Sequence, residues 1–197
     1  TKRLAEWYVR AATSSVQRKI VRFGNVFGSQ GSVVPLFEEQ LADGGPVTVT
    51  HPDMERFFMT VDEACGLILQ TVLFDGAPVY CFRMGDPIDI VEVARSLVRR
   101  WYPSVDPDRL IEFVGRRPGE KLSEQLVMPH EQVHPTDHES ILGLRGPVPY
   151  SRAELEVYFR HLKDLARPAG GSRASLRRAL SATDLQAVSN DISSLDR

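Results

Sequence analysis

The stretch KIVRFGNVFGSQGSVVPLFEEQLADGG, residues 19–45, decides the fold class. It opens on a short β-branched run, Lys19-Ile-Val-Arg-Phe23, which reads as a strand. The strand runs straight into Gly24-Asn-Val-Phe-Gly-Ser-Gln-Gly31. Three glycines in eight residues mean a loop whose backbone can approach a ligand closely. Val34, Phe37 and Leu41 then mark one face of a short helix, with Pro35 suited to its first turn and Gly44-Gly45 to its end. Strand, glycine-rich loop and helix in succession point to an α/β protein.

The same alternation continues on both sides. Upstream, Leu4, Trp7, Tyr8 and Ala11 recur at helical spacing. Downstream, Val47–Thr50 and Arg56–Thr60 read as extended segments. Thr60 and Glu63 have the spacing of a capping box, which predicts a helix from Val61 through Ala64, Leu67, Ile68 and Thr71. Pro78–Phe82 reads as a strand, and Ile90, Val93, Ala94, Leu97 and Trp101 as a second amphipathic helix. Leu110–Val114 is a further strand, and Lys121–Val127 is predicted to be helical. Ser151 and Glu154 form another capping box, opening a helix that carries Leu155, Tyr158, Phe159, Leu162 and Leu165 on one face. Composition then shifts. Residues 167–175 have the makeup of a flexible linker, and the last 22 residues are polar, with Leu176, Leu180, Leu185 and Val188 loosely spaced. The division expected is residues 1–166 as the folded portion and 167–197 as linker and tail. The strands are few and short, so the chain reads as part of a sheet rather than a whole doubly wound domain.

Composition narrows the function classes. Of 197 residues, 42% are hydrophobic and 25% charged, with a formal net charge of −2, so the chain has a core to bury and lacks the basic excess of a nucleic-acid coat. There are 20 arginines against 4 lysines, a bias that suits carboxylate or phosphate recognition and is equally produced by a GC-rich genome. Cys65 and Cys81 each sit in an apolar segment, as in a reduced cytosolic protein. No apolar run approaches the roughly 20 residues of a membrane helix. The opening TKRLAEWYV resembles a helix interior, and sequence upstream of it is expected.

Three groups of residues could carry chemistry. Asn25 stands on the glycine-rich turn at a strand end, where it can either stabilise the turn or donate its amide to a phosphate or sugar oxygen. Gly115-Arg-Arg-Pro-Gly-Glu-Lys121 follows a strand. It is either a solvated basic turn or a loop that presents an arginine fork to a diphosphate, with Glu120 free to accept from ribose hydroxyls. Arg56 stands among apolar residues in MERFFMT, residues 54–60, and once buried needs an internal carboxylate or a ligand phosphate. His130, His134 and His138 fall at intervals of four, but Pro129 and Pro135 break the helix that would align them, and no metal site is expected. No G-x-G-x-x-G, G-x-S-x-G or H-E-x-x-H occurs.

Taken together, residues 22–64, then MGDPIDIVEVARSLVRR (84–100) and GRRPGEKLSEQLV (115–127), resemble the second half of the nucleotide-sugar 4,6-dehydratases of the extended short-chain dehydrogenase/reductase superfamily. The branch they are most similar to is the polysaccharide-biosynthesis group of UDP-N-acetylglucosamine dehydratases and related 4-epimerases. The likeness runs from Thr1 to about Gly143. It implies an α/β fold, the carboxyl-terminal part of an extended, Rossmann-like short-chain dehydrogenase truncated before its dinucleotide-binding half. It implies a UDP-sugar substrate and NAD or NADP, held mainly by that other half, and a chain that does not turn over alone. TKRLAE, residues 1–6, is similar to the family segment whose lysine completes a Y-x-x-x-K or M-x-x-x-K pair, which makes Lys2 the implied catalytic and nicotinamide-ribose residue. By motif position Asn25 would contact the UDP diphosphate, Arg56 and Arg117 would clamp it, and Glu120 would bind the uridine ribose. Residues 32–35 and 47–49 would border the uracil. A cytoplasmic setting and homo-oligomers are implied as well. The rival expectation is a non-catalytic interaction module that kept the fold.

Overall fold

The computed structural model describes residues 2–12, 15–29, 31–166 and 172–181. Along the chain run α1 (Lys2–Ala11), β1 (Ile20–Arg22), β2 (Asn25–Val26), α2 (Val33–Ala42), β3 (Val47–Val49), β4 (Glu55–Arg56), β5 (Phe58–Met59) and α3 (Val61–Thr71). They are followed by β6 (Val79–Phe82), β7 (Ile88–Asp89), α4 (Ile90–Trp101), β8 (Ile111–Phe113), β9 (Gln132–Pro135), β10 (Ile141–Arg145), α5 (Arg152–Leu165) and α6 (Arg173–Ser181). They form two compact units, residues 1–18 with 147–197, and residues 19–146.

The larger unit is built on β6. All four residues of this strand, Val79-Tyr-Cys-Phe82, are buried, as expected of a strand covered on both faces. β1 pairs with it in parallel and β10 antiparallel, and β9 adds to β10, giving the order β1-β6-β10-β9. Tyr80 and Phe82 point to one face, with Met59, Ala64 and Ile141, where Phe23 stacks on Phe82. Val79 and Cys81 point to the other, with Leu144, Ile20, Leu126 and Val127. A second core joins α2 and α4 over β3: Phe37, Leu41, Val47, Val49, Ala94 and Val98 are all buried. Small two-stranded pairings complete the unit, β2 with β5 and β3 with β8 in parallel and β4 with β7 antiparallel. Thr60 and Glu63 make the capping box at α3, with the Glu63 amide donating to the Thr60 hydroxyl and the Thr60 amide to the Glu63 carboxylate.

In the smaller unit α1 packs Leu4, Trp7 and Tyr8 against Leu155, Tyr158 and Phe159 of α5. The Ser151–Glu154 capping box opens α5. Residues 173–175, read as linker from composition, begin α6, and the Tyr158 hydroxyl donates to the Ala179 carbonyl. The rest of the predicted linker and tail, 167–171 and 182–197, lies outside the described residues.

Two sequence expectations fail for physical reasons. Lys121–Val127 is not a helix: its carbonyls are taken by arginines, those of Lys121 and Leu122 by Arg56 and that of Leu126 by Arg22, so they do not serve an i+4 amide. No strand was expected in residues 128–146, where β9 and β10 form, and Pro135 ends β9. It is tolerated because β9 is the edge of its sheet, where no neighbour needs its missing N–H. No helix among the described residues is long and apolar enough to cross a membrane.

Arg22 is the main tether between β1 and the segment after β8. Its guanidinium meets Glu131 through two bonds of 2.7 Å, and the Met128 amide donates to the same carboxylate at 2.8 Å. The Glu131 side chain is only 3% exposed. Burial alone would raise its pKa, but the Arg22 and Met128 hydrogen bonds and the arginine charge outweigh it and hold the carboxyl below the usual carboxylate range. Glu131→Gln should therefore cost about 3–5 kcal/mol in urea denaturation at neutral pH, the range for breaking a buried pair. A native value below the unfolded one contributes stability that is complete above the ordinary carboxylate range and is lost as pH falls through the lowered native value. The acid limb of the wild-type stability profile should be correspondingly shallower in Glu131→Gln.

Candidate functional site

One cleft, of about 200 Å³, is lined by Asn25, Gly31, Val33, Leu36, Phe37, Thr48–Thr50, Met54, Arg56, Ile90, Val114, Arg117 and Glu120. Four residues singled out in the sequence, drawn from positions 25 to 120, thus share one opening. Its floor is the buried core of the larger unit. Gln40 holds β3 in place there, accepting from the Thr48 amide at 2.9 Å and donating to the Thr48 hydroxyl at 2.8 Å.

Asn25 reaches the cleft because β2 lies hard against β5. The Asn25 amide donates to the Phe57 carbonyl at 2.7 Å. The preceding residue has to be glycine: a Cβ on Gly24 would sit 2.6 Å from the Cβ of Phe57. The Asn25 backbone is thereby spent on pairing, and its side-chain amide has no hydrogen-bond partner among the described residues.

Arg56 is the most heavily engaged group. Its Nη1 donates to the carbonyls of Glu55 at 2.7 Å and Leu122 at 2.8 Å, and its Nη2 to that of Lys121 at 3.0 Å. The carboxylates of Glu120 and Glu124 approach the same guanidinium to 3.9 and 3.8 Å. The sequence left an internal carboxylate or a ligand phosphate open for a buried Arg56; in this structure its hydrogen bonds go to internal carbonyls, with two internal carboxylates nearby. Glu124 was not singled out. It lies in Lys121–Val127, the segment expected to be helical, where no partner for Arg56 was sought.

The loop 115–120 is folded on itself. Gly115 and Gly119 adopt φ of +83° and +84°, and the Arg117 amide donates to Glu120 Oε2 at 3.0 Å while the Glu120 amide returns to the Arg117 carbonyl at 3.0 Å. This turn leaves the Arg117 guanidinium exposed at the cleft rim, with no partner among the described residues. Arg116 is exposed and does not line the cleft.

Val33 of the 32–35 segment and Thr48–Val49 of the 47–49 strand, expected beside the base, do line the cleft. Lys2 belongs to the other unit, exposed at the first position of α1. His134 lies on β9, and His138 Nδ1 accepts from the Ser140 amide. No group of three or more potential metal ligands occurs among the described residues.

Residues 1–145 match the family model described as polysaccharide biosynthesis protein. The capsular polysaccharide biosynthesis protein CapD of Staphylococcus aureus is 45% identical over 168 residues, which are 82% of this chain and 27% of that protein. The chain therefore spans about a quarter of that relative's length. Among solved structures, Pen from Bacillus thuringiensis aligns at 30% identity with a TM-score of 0.58, over 75% of this chain and 45% of that one. DesIV from Streptomyces venezuelae, a dTDP-glucose 4,6-dehydratase solved with NAD and TYD bound, aligns at 20% identity with a TM-score of 0.50, over 61% and 38%. The fold is the expected one, part of an extended, Rossmann-like short-chain dehydrogenase.

The Arg56 bonds give a direct test of how the cleft rim is held. Each charge-assisted bond to a carbonyl is worth roughly 1.5–3 kcal/mol. Arg56→Ala should raise the opening of residues 115–124 by about tenfold or more, read as faster tryptic cleavage after Arg116 and Lys121 and faster amide exchange. Arg56→Lys should fall between, because it keeps the charge and loses the fork.

Proposed function

The chain belongs to the polysaccharide biosynthesis protein family, and we propose that it is the UDP-sugar-binding portion of an NAD(P)-dependent nucleotide-sugar 4,6-dehydratase acting on a UDP-N-acetylglucosamine-like substrate in the cytoplasm. The observation that carries the reading is the cleft itself. It gathers an amide and a guanidinium with no partner among the described residues, Asn25 and Arg117, beside a carboxylate, Glu120.

Each group has a role its chemistry suits. Arg117 presents a planar fork whose two parallel N–H donors match adjacent phosphoryl oxygens. The glycines at positions 115 and 119 and the Glu120 carboxylate fix the turn that aims it. Asn25, also on the cleft lining, donates its side-chain amide. Arg56 adds positive charge from beneath the rim, while its hydrogens stay on the carbonyls of Lys121 and Leu122. Glu120 keeps lone pairs for ribose hydroxyls after accepting the Arg117 amide. The apolar walls from Val33, Phe37 and Val49 suit a flat base between them.

The net reaction proposed is loss of water from the sugar to give a 4-keto-6-deoxy product. NAD(P), when bound, supplies a hydride acceptor and donor. Of the residues described, Lys2 is the one that the resemblance assigns to it.

Calorimetric titration of UDP into the 197-residue chain tests the reading. Wild type should bind. Arg117→Ala should weaken binding by about ten- to a hundredfold, the equivalent of one charge-assisted bond. Arg117→Lys should recover part of that, and Arg116→Ala should match wild type. Absence of UDP binding by wild type would overturn the proposal. A loss confined to Arg116→Ala would move the diphosphate to the other arginine.

A further inference from the structure

Beside α3 the larger unit has another opening, of about 310 Å³, that shares no lining residue with the cleft. Its apolar lining is Phe58, Met59, Leu67 and Met84, of which Phe58 and Met59 are buried. Its polar lining is Glu63, Gln70, Arg83 and Ser140, and the remaining wall is the backbone of Gly66.

Arg83 directly follows β6, at the carboxyl end of the strand, where open α/β sheets receive ligands. Its amide donates to the Ser140 carbonyl at 2.9 Å, which extends the pairing of β6 with β10 and fixes the point from which the side chain leaves. Arg83 is exposed, and its guanidinium has no partner among the described residues. The same holds for the Gln70 side-chain amide and the Ser140 hydroxyl. Glu63 differs: its carboxylate accepts the Thr60 amide at 2.7 Å and the Thr60 hydroxyl at 2.9 Å, so its charge is committed to the helix cap.

Gly66 is an independent sign of a ligand. It stands in the middle of α3, where glycine makes a helix less stable than alanine would. A Cβ on Gly66 would meet nothing within 4 Å, so internal packing does not require the missing side chain. What the glycine provides is a bare length of backbone along the opening, which a bound molecule can approach closely.

The lining also indicates the class of molecule. Glu63, Gly66, Leu67 and Gln70 fall at i, i+3, i+4 and i+7, so the opening follows α3 for two turns, about 10 Å. One face of the Phe58 ring is already stacked on Phe27, and Met59 and Met84 supply thioethers, which adapt to a flexible chain better than to a rigid ring. An arginine fork at the edge of such a lining matches a carboxylate or a phosphate.

We propose that this opening binds a small amphipathic anion, a carboxylate or phosphate ester carried on a flexible aliphatic chain. Arg83 holds the head, Gln70 and Ser140 are the further donors, and the chain lies along Gly66, Met59 and Met84.

The test is titration of sodium decanoate and of decyl phosphate, each below its micellar concentration, into the 197-residue chain labelled with carbon-13 at its methionine methyls. At least one should bind with a Kd on the order of 100 μM. The methyls of Met59 and Met84 should shift, while those of Met54, in the cleft, and of Met128 stay in place. Decanol lacks the charge and inorganic phosphate lacks the chain, so each should bind at least tenfold more weakly. Arg83→Ala should weaken binding at least tenfold, and Arg83→Lys should recover part of it. Gly66→Leu should abolish binding without lowering the melting temperature, because leucine is the better helix former. None of these readouts depends on whether the cleft binds UDP. Failure of both amphiphiles to bind, or equal binding of decanol or of bare phosphate, would overturn the proposal. So would unchanged affinity in Arg83→Ala or in a folded Gly66→Leu, and so would shifts at Met54 or Met128 in place of Met59 and Met84.

Discussion

The guanidinium of Arg56 is the interaction on which the cleft depends. Residues 115–124 have no helix or strand to hold them, so their backbone polar groups need partners from elsewhere. Arg56 supplies them, bonding the carbonyls of Lys121 and Leu122 from a two-residue strand, β4, that is itself paired to β7 at the head of α4. A charged side chain is suited to this task because a bond from a guanidinium to a carbonyl is stronger than a neutral one and because its fork spans two successive peptide groups. The cost is that the charge must be balanced in a place where it is only 16% exposed, and Glu120 and Glu124 do that. One side chain thereby sets the height of the rim, the position of Glu120 and, through the turn closed by Glu120, the direction of Arg117.

A division of labour among the basic residues follows. Arg22 and Arg56 are both largely buried and serve backbone carbonyls and internal carboxylates; Arg117 is exposed and serves neither. An anion entering the cleft meets a guanidinium that has no partner among the described residues to abandon. Arg117 can be recruited without breaking a bond inside the protein, whereas recruiting Arg56 would mean releasing the loop that forms the rim.

The pattern of the chain made the periodic elements legible and left the irregular ones obscure, for a definite reason. Val34, Phe37 and Leu41 announced α2, and Thr60 with Glu63 announced the start of α3, because in each case local spacing and local hydrogen bonds decide the outcome. Residues 121–127 looked helical on the same local grounds, but two arginines 65 and 104 positions away took the carbonyls. No strand was expected at β9, where Pro135 is tolerated because it lies on an edge. For the site, Asn25, Arg56, Arg117 and Glu120 could be named from motif position, but the distinction between an engaged arginine and a free one is a property of three-dimensional neighbours. Glu124 lay in the segment expected to be helical, so its role beside Arg56 was not visible.

The cleft and α3 are connected through a very short path. Asn25 lies on β2, β2 pairs with β5, and β5 leads within one residue to the Thr60 cap of α3. Proximity of this kind does not by itself couple two surfaces; coupling needs an element with two arrangements that both surfaces bias. Here the intervening element is over-determined. The Asn25 and Phe27 amides bond the carbonyls of Phe57 and Met59, Gly24 leaves no room for movement against Phe57, and the Thr60–Glu63 box closes the helix end with reciprocal bonds. None of these bonds uses a side-chain group that a ligand in the cleft would engage, since Asn25 takes part only through its backbone. A rigid path with no second state transmits position and not occupancy. The geometry thus favours a cleft that binds independently of whatever occupies the opening beside α3, with β5 serving both as a fixed strut.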